Sequence, residues 1–453
     1  MIPTGEAPGR KLAVFVIIWF GQVISSLGSA ITSFAFGVWL FERHRSITEF
    51  GVYSFCSVVP LVVVSPFVGP LVDRWNRRTA MLVANTVAAA ASFALWLLFV
   101  SEHLRPWHVF AVAAINAAMR GLQWPAYSAS TTVLVPEEHY GRAAGMISVG
   151  EGISQIAAPL AAGALLGVMP LGTLVLLDGT SFLVAIVTLL AVRIPHPVSK
   201  ERAGGGETFL RRMSFGWRYL RARPGLLTLQ LFLTAVNLTE NLVVVLIAPL
   251  VLSFADRATL GRVLTVGGLG VLSGAVAMSL WGGPRRRVRS VLVLFAIRAG
   301  VLFLAALRFD AVLIAGAAFV FLACMQLGIG TLQSVWLKKV PPAMQGRVFA
   351  LRQMIATSMV PVAYLIAGPL ADRIFEPLMA ADGLLAASAG RWLGVGPGRG
   401  IALLFVVLGA LNLALIAAAS LLPRLVNVET ELPDASADDP PTAAISAPQP
   451  SRV

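Results

Sequence analysis

Charge is scarce in this chain: acidic and basic residues together fill 13% of its 453 positions, where a soluble domain carries roughly 25%. So few charges cannot dress the surface of a water-soluble protein of this size. Cysteine is scarcer still. Cys56 and Cys324 are the two present, both inside apolar stretches where a thiol behaves as a small hydrophobe, so neither a disulfide framework nor a thiolate metal site is implied. The five histidines, His44, His103, His108, His139 and His196, are scattered without metal-ligand spacing, so no metal and no cofactor is expected. A Gly-Lys-Ser/Thr phosphate loop is missing as well, so hydrolysis of ATP at such a loop is not expected. With no convergent set of catalytic side chains, the sequence does not read as an enzyme.

Apolar residues are what the chain has in excess, at 57% of positions with a mean hydropathy of +0.81. Crossing a bilayer takes roughly 20 residues. Runs of that kind fall near 12–41, 51–72, 79–100, 108–135, 143–168, 171–193, 225–253, 260–281, 290–307, 311–336, 348–372 and 401–422. The fold class is therefore an all-α membrane protein of about twelve transmembrane helices, with the lipid bilayer as its solvent.

The net charge of +13 raises the alternative of nucleic-acid binding, and the placement of the basic residues decides against it. They gather in alternate connections: Arg74, Arg77 and Arg78; Arg193 through Arg223; Arg285, Arg286, Arg287 and Arg289; Lys338, Lys339 and Arg347. The intervening connections hold fewer, with acids beside them, as at Glu42, Arg43, Arg45 and Glu49. Basic residues stay on the cytoplasmic side. Both termini and the long central connection are thus expected in the cytoplasm.

The chain is also written twice. Val135-Pro136 followed by Gly141-Arg142 recurs as Val340-Pro341 followed by Gly346-Arg347, and Gly163 is matched by Gly368 at the same offset. Two six-helix halves follow, residues 1–193 and 225–422. The connection 194–224 joins them, and in it Leu210, Met213, Trp217 and Leu220 share one helical face, as in a helix lying on the membrane surface. From 423 to 453 the chain becomes rich in Pro, Ala, Ser and Asp and is expected to be a disordered cytoplasmic tail. The external connection 376–400, with Trp392 and Gly396-Pro397-Gly398, has room for a small cap.

The most specific stretch is Gly69-Pro70-Leu71-Val72-Asp73-Arg74-Trp75-Asn76-Arg77-Arg78, a short charged turn between two spans. With the two six-span halves, it resembles the Major Facilitator Superfamily, whose signature between its second and third helices is matched by Gly69, Asp73, Arg74, Arg77 and Arg78. Asn76 stands where a second glycine is usual, and Asn tolerates positive φ. The counterpart Gly282-Gly283-Pro284-Arg285-Arg286-Arg287 lacks the aspartate, which implies that only the first-half latch is intact. Phe215 to Pro224 and the paired Val-Pro/Gly-Arg elements are further similar to the exporter branch that includes enterobactin and macrolide efflux proteins.

The resemblance implies a gating latch in which Asp73 caps a helix start and Arg74, Arg77 and Arg78 pair with it. A carboxylate so placed contributes roughly 0.3–1 kcal/mol when exposed and up to ~2 when partly buried, enough to bias a two-state equilibrium without locking it. Ser154, Ala158, Pro159, Ala162 and Gly163 resemble the family's antiporter motif, though small residues at this spacing also serve plain helix packing. Arg120, with Gln123 behind it, resembles the fourth-helix motif linked to proton coupling. A charge at that depth needs a partner or water. Glu151 and Glu240 lie deep in the fifth and seventh spans, and removal from water favours the neutral form of any carboxylate, so Arg120, Glu151 and Glu240 are the proton-coupling candidates. Asp178 and Arg298, near span ends on peripheral helices, read instead as snorkelling side chains. Cavity candidates are Gln22, Ser25, Ser29, Trp124, Tyr127, Asn237, Gln326 and Gln333. Few fixed charges among many apolar groups point to an amphipathic substrate. The expected function is a monomeric proton-coupled exporter of drugs, siderophores or peptide-like metabolites by alternating access. An importer or lipid transporter of the same fold is the alternative, ahead of a membrane-embedded enzyme or a channel.

Overall fold

A computed structural model describes residues 8–74, 76–135, 140–192 and 209–431, with the side chains of 8–12, 65–74, 129, 132–133, 140–141, 144, 209–213, 342–343 and 431 outside that description. All regular structure among the described residues is helical. Lipid offers backbone groups no hydrogen bonds, so a chain this apolar closes them within each segment. The first six long helices are α1 (Pro8–His44), α2 (Ile47–Arg74), α3 (Arg77–Val100), α4 (Pro106–Leu134), α5 (Tyr140–Val168) and α6 (Leu171–Ala191). A short α7 (Phe209–Arg221) precedes α8 (Pro224–Leu252), α9 (Arg257–Trp281), α10 (Arg287–Leu307), α11 (Ala311–Lys339) and α12 (Pro342–Leu370). Then come α13 (Glu376–Leu378), α14 (Gly390–Leu393), α15 (Arg399–Ser420), α16 (Pro423–Val426) and α17 (Val428–Glu431). Among the described residues 11 helices are long and apolar enough to cross a membrane. The remaining long helix, α4, carries Asn116, Arg120 and Gln123.

The chain divides into two compact units, Met1–Lys200 with Ala255–Thr265 and Glu201–Phe254 with Val266–Val453. In the first, α1 packs on α5 and α6, α3 on α4 and α6, and α2 on α4. Phe15, Ile18, Met81, Leu134 and Leu189 are almost wholly buried there.

In the second unit α8 packs on α12 and α15, and α10 on α11 and α15. Two elements differ from expectation. Helix α7 rests on only part of its predicted apolar face: Leu220, with Tyr219 beside it, is fully buried against α12 and α8, while Trp217 is exposed. The Tyr219 hydroxyl donates to the Lys339 carbonyl at 3.0 Å. Gly216 lets α7 approach so closely that a Cβ there would stand 3.1 Å from the Arg347 carbonyl oxygen. Leu210 and Met213 have side chains outside the described residues.

The second difference is the chain end. Of the tail expected over 423–453, residues 423–431 instead form α16 and α17, with Leu425 and Val428 fully buried in the core formed by Leu226, Val288 and Trp336, and residues 432–453 lie outside the described residues. Composition averaged over the tail hides these two residues, which are enough to anchor two short turns. The carboxylate of Glu429 then accepts from the backbone N–H groups of Arg287 and Val288, at 3.3 and 3.0 Å. The turn Gly282 to Arg287 lacks its own aspartate but has an acid at the helix it opens, with Gly282 and Gly283 at φ of +72° and +90° making the bend. Within the cap at 376–400, Glu376 does the same for α15, accepting from Gly398 and Ile401 at 3.2 and 3.3 Å.

Candidate functional site

The charged turn between α2 and α3 is built on a helix start. Asn76 has φ −62° and ψ 125°, and its side chain accepts from the Arg78 N–H at 3.0 Å. It is an N-cap, not the positive-φ residue expected; amide side chains favour this role because they satisfy an N–H left open by the helix. Arg78 reaches the end of α6, its Nε donating to the Leu189 carbonyl at 2.8 Å and its Nη2 to that of Leu190 at 2.9 Å. A cation on the last carbonyls of a helix opposes the dipole there. Arg77 keeps one buried guanidinium nitrogen without a partner. The side chains of Gly69, Asp73 and Arg74 lie outside the described residues.

Buried polar groups collect inside the first unit. Gln123 on α4 bonds the side chains of Gln22 on α1 and Asn85 on α3. Ser25 is buried. Trp124 is half exposed with its ring 6.4 Å from that of Tyr127, whose buried hydroxyl has no partner. Arg120 donates from Nη2 to the Ser57 carbonyl at 2.9 Å, which supplies the partner its depth demands. Asp178 does not snorkel. It is 2% exposed, and its two carboxylate oxygens accept from Ser29 at 2.9 Å and Ser92 at 2.8 Å. A short Asp side chain two turns into a helix cannot reach an interface, so serines on the neighbouring helices satisfy it instead.

On α5, Glu151 and Gln155 are exposed, while Ser154, Ala158, Ala162 and Gly163 are buried. Pro159 and Gly163 lie against the start of α9: a Cβ on Gly163 would come within 2.9 Å of the Arg257 carbonyl oxygen, and one on Gly261 within 2.6 Å of that of Pro159. The small-residue ladder is thus a close helix crossing. Thr265 extends it by donating to the Ile156 carbonyl at 3.1 Å. Nearby, Arg257 makes a two-point ion pair with Glu42 at the end of α1, both contacts at 2.6 Å, and donates to the Leu166 carbonyl at 3.3 Å. Sequence reasoning missed this pair because its members stand 215 positions apart and each reads as an ordinary loop charge.

In the second unit Glu240 on α8 forms a salt bridge with Arg298 on α10. Arg298 is 3% exposed, and its guanidinium lies 4.1 Å from the Phe321 ring centroid. The snorkelling expected of it is corrected: an acid and two aromatic faces give the cation a better environment than the distant interface. Beside them the Thr239 hydroxyl donates to Asn412 Oδ1 on α15 at 2.9 Å. Asn237 accepts from the Asn241 side chain at 2.7 Å through its carbonyl. Gln333 accepts from Arg352 at 3.0 Å. Gln326 is half-buried at the place where α11 meets Gly274 of α9. No cluster of three metal-ligating side chains occurs among the described residues. What these sites offer chemically is hydrogen bonding, with carboxylates held by an arginine or by hydroxyls, set in apolar helices.

Known proteins share both the sequence and the architecture. The Major Facilitator Superfamily pattern matches residues 18–364. Macrolide efflux protein A of Streptococcus pyogenes is 28% identical over 370 residues, covering 80% of this chain and 90% of that protein. The multidrug efflux pump Tap of Mycolicibacterium fortuitum is 24% identical over 374 residues, with the same two coverages of 80% and 90%. Among solved structures, a bacterial homologue of the human lysosomal transporter Spinster superposes with a TM-score of 0.70 at 13% identity, covering 94% of this chain and 98% of that one. The chain belongs to the Major Facilitator Superfamily, as a multi-pass membrane transporter and not an enzyme.

Proposed function

We propose that this transporter exports amphipathic small molecules, macrolide-like compounds among them, from the bacterial cytoplasm in exchange for protons. The observation that carries the export reading is the similarity to efflux proteins over four-fifths of the chain. Support for an amphipathic substrate comes from Gln22, Ser25, Ser29, Trp124, Tyr127, Asn237, Gln326 and Gln333, single polar groups spaced among apolar ones, the pattern of sites that orient a ligand without binding a full charge. The proposal includes two six-helix halves at 1–193 and 225–422 joined by 194–224, working by alternating access with both termini cytoplasmic. Gly69, Asp73, Arg74, Arg77 and Arg78 act as the gating latch, with Arg77 and Arg78 anchored at the start of α3.

For coupling, Arg120, Glu151 and Glu240 differ in what each must do. Glu151 is exposed and free to exchange a proton directly. Glu240 has to leave Arg298 before it binds one. Arg120 stays charged and acts on neighbouring groups. Moving one charge through 100 mV supplies ~2.3 kcal/mol, which at ~1.4 kcal/mol per decade supports several tens-fold accumulation.

The test uses inverted vesicles holding the protein and a pH-sensitive dye, with an acid interior. Adding antibiotics, dyes and siderophores in turn, proton leak is expected from one compound class and not in Asp73→Asn vesicles. Wild-type leak in that variant would remove the latch, and silence across the panel would remove proton-driven export.

A further inference from the structure

Two clusters join corresponding helices of the two units, and their charges differ. Each joins the first, third and sixth long helix of its unit's repeat. In the first unit these are Ser29 on α1, Ser92 on α3 and Asp178 on α6. In the second they are Thr239 and Glu240 on α8, Arg298 on α10 and Asn412 on α15. The second cluster carries an acid neutralised by an arginine and places an uncharged amide on its sixth helix. The first places a carboxylate there and gives it two hydroxyls.

The surroundings of Asp178 hold little opposing charge. The faces of α1 and α3 that pack on α6 offer Ser29, Thr32, Ser33, Asn85 and Ser92, none of them titratable near neutral pH. Beyond them the groups that act on Asp178 electrostatically are Arg120 and Tyr53. Arg120 is held on the Ser57 carbonyl, and Tyr53 shares Ser33 with α1 at 3.0 Å, one turn from Ser29. A carboxylate with hydroxyl partners keeps its hydrogen bonds in either state: a serine donates to the anion and accepts from the acid. A salt-bridged carboxylate lacks that symmetry, because protonation leaves its cation unpaired.

We infer that Asp178 is the carboxylate of the first unit that takes up the transported proton and releases it, with Ser29 and Ser92 holding it in both states. The inference rests on the proton-coupled reading above and adds a residue to it. One O–H bond forms when a proton arrives from outside and breaks when it leaves to the cytoplasm, while substrate moves the other way. Ser29 is the less buried partner, so exchange runs along α1.

Asp178→Asn tests this directly, because an amide keeps the size of the carboxylate and can still bond Ser29 and Ser92 while taking up no proton. Full-length protein in liposomes is read in three ways. Infrared difference spectra across a pH titration should contain a protonated-carboxyl C=O band in wild type that is missing in Asp178→Asn. Ethidium efflux driven by a pH gradient should be lost in the variant, while gradient-independent ethidium counterflow stays at the wild-type level. Asp178→Glu should restore driven efflux with a displaced pH profile. An unchanged carboxyl band, or driven efflux at the wild-type level in Asp178→Asn, overturns the inference. Loss of counterflow as well makes Asp178 structural and also overturns it. Wild type without gradient-driven efflux of ethidium or erythromycin removes the proton-coupled reading and this inference together, whereas failure in the variant arms alone leaves that reading standing.

Discussion

Arg298 shows at the scale of one residue how a buried cation is kept. Its 3% exposure, its salt bridge to Glu240 and the rings of Phe295 and Phe321 leave it no route to water. Removing one partner of such a pair strands the other, at a cost of roughly 3–5 kcal/mol, whereas replacing both with neutral groups of similar shape is often neutral. Arg298→Met should therefore lower the melting temperature in detergent sharply, and the Glu240→Gln, Arg298→Met double variant should recover most of the loss. Equal melting temperatures for the single and double variants would mean that the pair is not what holds α8 to α10. The sequence showed Glu240 deep in an apolar run and gave Arg298 a place near a span end. It did not show that they meet, since they stand 58 positions apart on helices joined through α9. Asp178 was misread for the same reason: its partners Ser29 and Ser92 lie on other helices, and a serine in a membrane span carries no mark of which acid it serves.

At the scale of elements, apolar length was fully legible and helix ends were not. Long helices arose where unbroken hydrophobic runs were read, because lipid leaves the backbone no alternative. The segment 423–431 was decided by two residues, Leu425 and Val428, placed against Leu226 and Val288, and by Glu429 at the start of α10. A buried Leu→Ala change costs about 2–5 kcal/mol, and loss of a helix cap about 0.5–2. Leu425→Ala should thus destabilise the protein more than Glu429→Gln, and both should do so without blocking membrane insertion. Thermal unfolding followed by tryptophan fluorescence checks the order; no change in Leu425→Ala would mean that α16 contributes nothing to the core. The acid that the turn at Gly282 lacks was legible as an absence, but its replacement from α17, 142 positions away, could only be seen in the fold.

For the whole molecule, the number of crossings fixes which connections share a side, and the basic residues fix which side that is. Three long helices, α4 to α6, separate Ser101 from Ser214, and five, α8 to α12, separate Ser214 from Ser388. If each crosses once, Ser101 and Ser388 face the same compartment and Ser214 the other. Ser214 sits within the most basic connection, between Arg211, Arg212 and Arg218, and translocating that much positive charge is disfavoured. Replacing Cys56 and Cys324 with serine leaves a background without thiols, in which Ser101→Cys, Ser214→Cys and Ser388→Cys each report one connection, all three positions being exposed. A membrane-impermeant maleimide should label the first and third in intact cells and the second only in inverted vesicles. Labelling of Ser101→Cys and Ser388→Cys from opposite sides would break the count of crossings itself. Labelling of all three in reverse would keep the count and place both termini outside, which would mean that some force other than the basic residues orients the chain.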